Sequence, residues 1–255
     1  MGRLSEEEKN KLYEDVRPIA LECRKSIINE NDVINDTFGT IERLGILLLR
    51  FPALNNDTSL CGFTLYKHPY NCIYINTRQN LGRQYISCWH EYYHIYTGEG
   101  TGLSYLDSEN EDPIEYKATL FASMILMPEN LVRKYVEDRK VNLEFIKHTD
   151  IIKMQNYFGV GHSAMLTRLI QIFPEYKDNM QNRYGIAGKS QKQRERLEEK
   201  TIQADGNLQL IKATNDIYVP NSFYDDLEMN MKEKRISKEK AYSLLEIIGR
   251  LQDDI

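Results

Sequence analysis

His90-Glu91-Tyr92-Tyr93-His94 decides how the remainder of this 255-residue chain is read. On an α-helix, residues four apart lie one above the other on a single face, so this register stacks two imidazoles with chelating geometry. Glu91 projects close to the same face, where its carboxylate can take a proton from an activated water rather than bind the metal. The surrounding residues are independently helical: apolar spacing runs from about Asn80 to Tyr96 and stops at Thr97-Gly98. HExxH alone also arises by chance, so the flanking segments must carry the assignment.

Upstream, Ser5 and Glu8 form a capping box at the start of a helix predicted to reach about Ile28. A short helix around Phe38 to Leu44 ends at Gly45, and Ile46 to Phe51 reads as a buried strand. Cys61 to Tyr66 and Cys72 to Asn76 read as antiparallel strands joined by the turn His68-Pro69-Tyr70-Asn71. Downstream, a polar loop from Gly98 to Asp112 leads through Pro113 into a second helix ending at Met127-Pro128. That loop is long enough to bring the second helix alongside the first, with Glu115 on its first turn. Catalytic zinc takes three protein ligands and keeps one position open, which His90, His94 and Glu115 satisfy. Glu109, Glu111 and Asp112 compete for the third place, but lie before Pro113. A helical position supplies the fixed geometry that a metal site needs, which favours Glu115. Thr119, one turn on, can hydrogen-bond a ligand imidazole.

Three further helices are expected at Leu143 to Ile152, Met154 to Phe158 and Ser163 to Phe173, the last two joined by Phe158-Gly159-Val160-Gly161. Their proportions suit either a helix-turn-helix or ordinary packing helices, and apolar spacing does not separate the two. Apolar content collapses between Arg183 and Gln203, which reads as a linker or a solvated helix. The expected organisation is a catalytic domain over residues 1–182, a linker over 183–204 and a small C-terminal α/β unit over 205–255. In that last unit Leu208 to Lys212 and Ile217 to Val219 alternate like strands, and a helix follows Ser237.

A net charge of -5 argues against a protein built around a basic nucleic-acid footprint, and direct nucleic-acid binding is not expected. Purely apolar runs such as Ile46 to Leu49 are far too short to span a bilayer, and the N-terminal MGRLSEEEKNK has no apolar signal core. A cytoplasmic protein without membrane association is the expectation. Cys23, Cys61, Cys72 and Cys88 contain no CxxC pair, so reduced, packed thiols are expected, with Cys88 beside the motif as the one redox candidate. His162, Tyr85, Tyr92 and Tyr93 are chemically able to donate to an oxyanion.

Gly62-Phe63, His90-Glu91-x-x-His94 and the run Glu115-x-x-Ala118-x-x-Phe121-Ala122-Ser123-x-x-Leu126-Met127-Pro128 together resemble the ImmA/IrrE family of metallopeptidases, over roughly residues 10–175. The resemblance implies an α+β, zincin-like core: a small antiparallel sheet on the HExxH helix, a second ligand-bearing helix and following helical segments. It implies a zinc endopeptidase with His90, His94 and Glu115 as metal ligands and Glu91 as the catalytic carboxylate. By that resemblance the substrate is a helix-turn-helix repressor, whose cleavage derepresses mobile-element, phage or stress genes. Three positions depart from the family's habits: Tyr93 stands where a small residue is common, Lys117 where Glu is, and Thr119 where Asn or Asp is. Two other classes stay open: a regulatory protein that binds its partner without cutting it, and a DNA-binding module using Phe158 to Leu169. An extended substrate is expected to pair with the strand Cys72 to Asn76 as an edge.

Overall fold

The computed structural model describes residues 4–53, 57–67, 70–100, 103–105, 112–188 and 190–253. Glu109, Glu111 and His68 of the sequence reading lie outside the described residues. The chain is α+β, with a zincin-like arrangement of one small sheet against helices. α1 (Glu6–Ile27) opens with the predicted capping box, Glu8 N bonding Ser5 Oγ and Ser5 N bonding the Glu8 carboxylate. α2 (Thr37–Arg43) leads into β1 (Leu47–Phe51), and β2 (Leu60–Lys67) and β3 (Tyr70–Asn76) follow. α3 (Leu81–Thr97) carries the HExxH residues, β4 (Leu103–Tyr105) comes next, and α4 (Pro113–Leu126) carries Glu115.

The sheet order is β1-β3-β2-β4. β2 and β3 form the expected antiparallel hairpin. The sheet as a whole is mixed rather than antiparallel, because β1 runs parallel to β3, with Leu47 opposite Cys72 and Phe51 opposite Asn76. β3 is therefore a central strand, which corrects its expected role as a substrate-binding edge. Its buried residues explain the placement: Ile73, Tyr74 and Ile75 leave neither face exposed to water, and such a strand needs neighbours on both sides.

α4 is the central helix. Ala118, Phe121, Ala122 and Ile125 are fully buried, and its two sides pack on α3 and α1. From α3 the core receives Cys88, Trp89 and Tyr93, and from α1 Val16, Ala20 and Cys23. Desolvation raises the Cys88 thiol pKa far above its ordinary value, so the redox reading loses the exposure and thiolate character it needs. α5 (Glu129–Asp138), α6 (His148–Phe158) and α7 (His162–Ile172) complete this body. α6 spans what the sequence divides between two short helices. α7 packs inward through Met165, Leu166 and Leu169, and its single arginine, Arg168, is buried too. That arginine is therefore not displayed toward a nucleic-acid groove.

The span 183–204 contains α9 (Gln191–Gln203), after the short α8 (Lys177–Gln181). α9 buries Leu197 and Thr201, matching the solvated-helix side of the sequence reading. The C-terminal part differs from the expected α/β unit. Leu208–Leu210 is a 3-10 turn, and α10 (Asn221–Lys232) and α11 (Lys238–Asp253) follow with no strand of their own among the described residues. The alternating stretch docks instead on β1: Arg50 and Tyr218 exchange backbone bonds of 3.0 and 2.7 Å, and Arg50 pairs with Asp216 at 3.0 Å. Two or three alternating residues cannot form an independent sheet, whereas an existing strand edge offers partners at once. No helix among the described residues is long and apolar enough to cross a membrane.

Candidate metal centre

α3 starts at Asn80, whose side chain accepts from Arg83 N, and ends at Gly98 in a left-handed cap. That frame fixes the predicted register, and the His90 and His94 rings lie with centroids 5.2 Å apart. α4 starts at Asp112, whose side chain accepts from Ile114 N, with Pro113 at the first helical position. Glu115 is thereby held on the first turn, facing both imidazoles. His90 Nε2 is 2.9 Å from one Glu115 oxygen and His94 Nε2 is 3.5 Å from the other. The three sets of donor atoms lie within 4.8 Å of one another.

The other nitrogen of each ring is committed elsewhere. Thr119 Oγ1 donates to the Glu115 carbonyl at 3.0 Å, so it accepts from His90 Nδ1–H across 3.2 Å. The carbonyl of Glu99 accepts from His94 Nδ1–H at 2.8 Å. With Nδ1 as the donor on each ring, both Nε2 atoms face the carboxylate and are free to ligate a cation held among the three side chains. His94 Nε2 is moreover buried without a hydrogen-bond partner. Two imidazoles and one carboxylate are the donor set of a catalytic metal with an open position, so the residues fit such an ion. Burial pushes the Glu115 carboxyl up, but when the two rings carry a second proton, the hydrogen bond and charge of His90, with the charge of His94, outweigh that push. The group then ends below its ordinary value.

The three departures from the family's habits bear on the two site histidines, Thr119 directly and the others by way of Glu99. Thr119 holds His90. Tyr93 donates its hydroxyl to Glu99 at 2.6 Å, and Lys117 reaches the same oxygen at 3.2 Å. Glu99 in turn supplies the carbonyl that orients His94, so Tyr93 and Lys117 brace that histidine through one shared residue. Tyr93 also packs on Phe121, at a centroid distance of 5.4 Å, which ties the bracing to α4. Its hydroxyl is therefore engaged away from any oxyanion, and His162 pairs with His148 at 3.4 Å instead.

Sequence reasoning missed Thr64, Glu99 and Gly100. Thr64, on β2, donates to Glu91 Oε2 at 2.8 Å, fixing a fully buried carboxylate. Tyr66, two residues along the same strand face, is half-exposed. Burial and then the Glu91 charge push its phenol up to about 12, so it remains a hydrogen-bond donor near that carboxylate. Gly100 has φ +83°, and a Cβ there would fall 2.7 Å from His94 Nδ1. Gly100→Ala is therefore expected to push the Glu99 carbonyl out of line and to weaken metal affinity about tenfold or more. Metal titration of the variant checks this, and an unchanged affinity would show that the close approach is dispensable.

A helix presenting two histidines, a second helix presenting a carboxylate and a buried glutamate beside them define a zincin-like metallopeptidase. The sequence model of Peptidase_M78, the IrrE N-terminal-like domain, matches residues 41–169, just over half of the chain, and the chain belongs to that family. The match spans β1 through most of α7, and so includes every residue of the site. Comparison with curated proteins gives no match.

Proposed function

We propose that the protein is a zinc-dependent endopeptidase whose substrate is a helix-turn-helix transcriptional repressor. His90, His94 and Glu115 are the metal ligands and Glu91 is the general base. The observation that carries this reading is the convergence of both Nε2 atoms on the Glu115 carboxylate, each ring held from behind by Thr119 or by the Glu99 carbonyl. Bound zinc would acidify a water and polarise the scissile carbonyl. Glu91 accepts the proton as the water oxygen adds to the carbonyl carbon. It then passes that proton to the amide nitrogen, and the C–N bond breaks. The Thr64 hydroxyl holds Glu91 in one rotamer throughout, and the Tyr66 hydroxyl donates to the developing oxyanion. The substrate main chain pairs with β4, since β1 is covered by Tyr218 and β4 pairs on one side alone among the described residues.

Purified protein should carry about one zinc per chain and cleave a helix-turn-helix repressor offered as substrate. Chelation should abolish cleavage, and stoichiometric zinc should restore it. Metal analysis with gel-based cleavage assays tests both. A zinc-loaded protein that binds the repressor and leaves it intact would overturn the endopeptidase reading in favour of non-cleaving regulation.

A further inference from the structure

Between α1, the α4–α5 junction and α7 lies a cavity of about 500 Å³. Arg17, Arg24, Lys25, Arg133 and Arg168 line it, against the carboxylates of Glu30 and Glu129. Those carboxylates are already engaged: Glu129 pairs with Arg133 at 2.8 Å and Arg17 at 3.7 Å, and Glu30 with Lys25 at 3.1 Å. Arg24 and Arg168 are only 3% and 2% exposed, yet neither has a carboxylate within ion-pair distance among the described residues.

A guanidinium at that depth is costly unless its charge is met. Part of the compensation is structural. Arg24 donates through Nη1 to the Ile125 carbonyl at 2.6 Å and through Nη2 to that of Asp32, and Arg168 donates through Nε to the Met127 carbonyl at 2.8 Å. The carbonyls of Ile125 and Met127 end α4, where helical partners are lacking and positive charge is favoured. Arg168 also reaches the Tyr13 hydroxyl at 3.1 Å. Asp32 offsets part of the Arg24 charge and Glu129 part of the Arg168 charge, but neither carboxylate pairs directly with its guanidinium, and Arg24 Nε is buried with no partner. Desolvation accordingly lowers both guanidinium pKa values.

We propose that this cavity binds a phosphate monoester. A dianionic phosphate offsets two guanidinium charges at once, which a single carboxylate does not. Arg24 and Arg168 act through their charge, since their fork nitrogens are largely given to protein acceptors. The half-exposed Arg17 and Lys25 supply the donors to the phosphate oxygens. Arg17 and Lys25, with side chains 51% and 62% exposed, stand at the mouth and draw the anion in. Leu21, Met124 and Pro128 give an apolar wall for the rest of the ligand.

The test uses the full chain, with calorimetric titration and thermal unfolding. Adenosine 5′-monophosphate and glycerol 3-phosphate are the monoester probes, inorganic phosphate the bare ion, and sodium chloride at matched ionic strength the control. At a concentration 100-fold above its Kd, a monoester should raise the unfolding midpoint by about 5–10 °C, while chloride should not. At least one monoester should bind about tenfold tighter than inorganic phosphate, through its contact with the apolar wall. Changing Arg24 or Arg168 risks the fold, so the variant is Arg17→Ala with Lys25→Ala, which should weaken the monoester about tenfold. Four results would each overturn the proposal: no saturable binding, an equal response to chloride, inorganic phosphate as tight as both monoesters, or unchanged affinity in the double variant.

Discussion

Glu91→Gln is expected to retain its metal and to lose cleavage by a factor of roughly 10²–10⁴, the range that a positioned general base contributes. Glutamine is isosteric with glutamate and fits the same buried position. Glu91 is fully buried, and Thr64 donates to its Oε2 at 2.8 Å, a bond that a glutamine amide oxygen also accepts. The fold and the hydrogen bond therefore survive, while the site loses the group able to take a proton. Glu91 is not among the atoms that gather within 4.8 Å, so metal content should be unchanged. Metal analysis and single-turnover cleavage separate the possibilities: loss of metal would make Glu91 a ligand, and undiminished turnover would end its role as base. Thr64→Val, which frees the same carboxylate from its anchor, should give a smaller loss of about tenfold.

Legibility in the sequence tracked contact distance along the chain. His90, His94 and Glu91 were readable because a helix converts spacing into a face, and Glu115 because Pro113 marks where its helix begins. Thr119 followed from Glu115 by one turn. Thr64 was not readable, since it meets Glu91 across 27 residues and through a strand register that no local pattern sets. Glu99 and Gly100 stand in a segment that reads simply as polar loop, and their importance lies in one carbonyl and one positive φ. The departures at Tyr93 and Lys117 were visible as departures, but that both converge on Glu99 is a fact of three dimensions. The fold shows the same division. Hairpin pairing of β2 with β3 is local and was readable, whereas β1 beside β3 depends on a non-local choice. Alternation in Leu208 to Lys212 imitated a strand, yet the backbone there closes a 3-10 turn. Arginine is ordinarily a surface residue, so nothing in the sequence flags Arg24 and Arg168 as buried.

Acid should destabilise the fold through His162, and this second large effect is independent of the metal. His162, the first residue of α7, is 2% exposed, and its Nε2 lies 3.4 Å from His148 Nδ1. Burial, and then the charge of His148, pushes its pKa down to about 3. His148 is itself lowered, by burial and by the positive charges of Arg183, Arg196 and Lys200, so neither ring welcomes a proton from the other. In the unfolded chain a histidine titrates near its ordinary value of about 6.5. Between those two pH values the unfolded state binds more protons than the folded one, so stability falls as pH falls. The slope is about 1.4 kcal/mol per pH unit, and the loss is on the order of 4 kcal/mol by the time the folded-state pKa is reached. Above pH 6.5 the contribution is flat. Urea unfolding of chelator-treated protein at pH 7.5, 6, 5 and 4, compared with His162→Leu, isolates the effect from acid release of metal. The variant should lose most of the wild-type slope below pH 6, leaving the part owed to His148. Parallel pH profiles for the two proteins would show that the buried ring is protonated at no cost and that acid acts elsewhere in the fold.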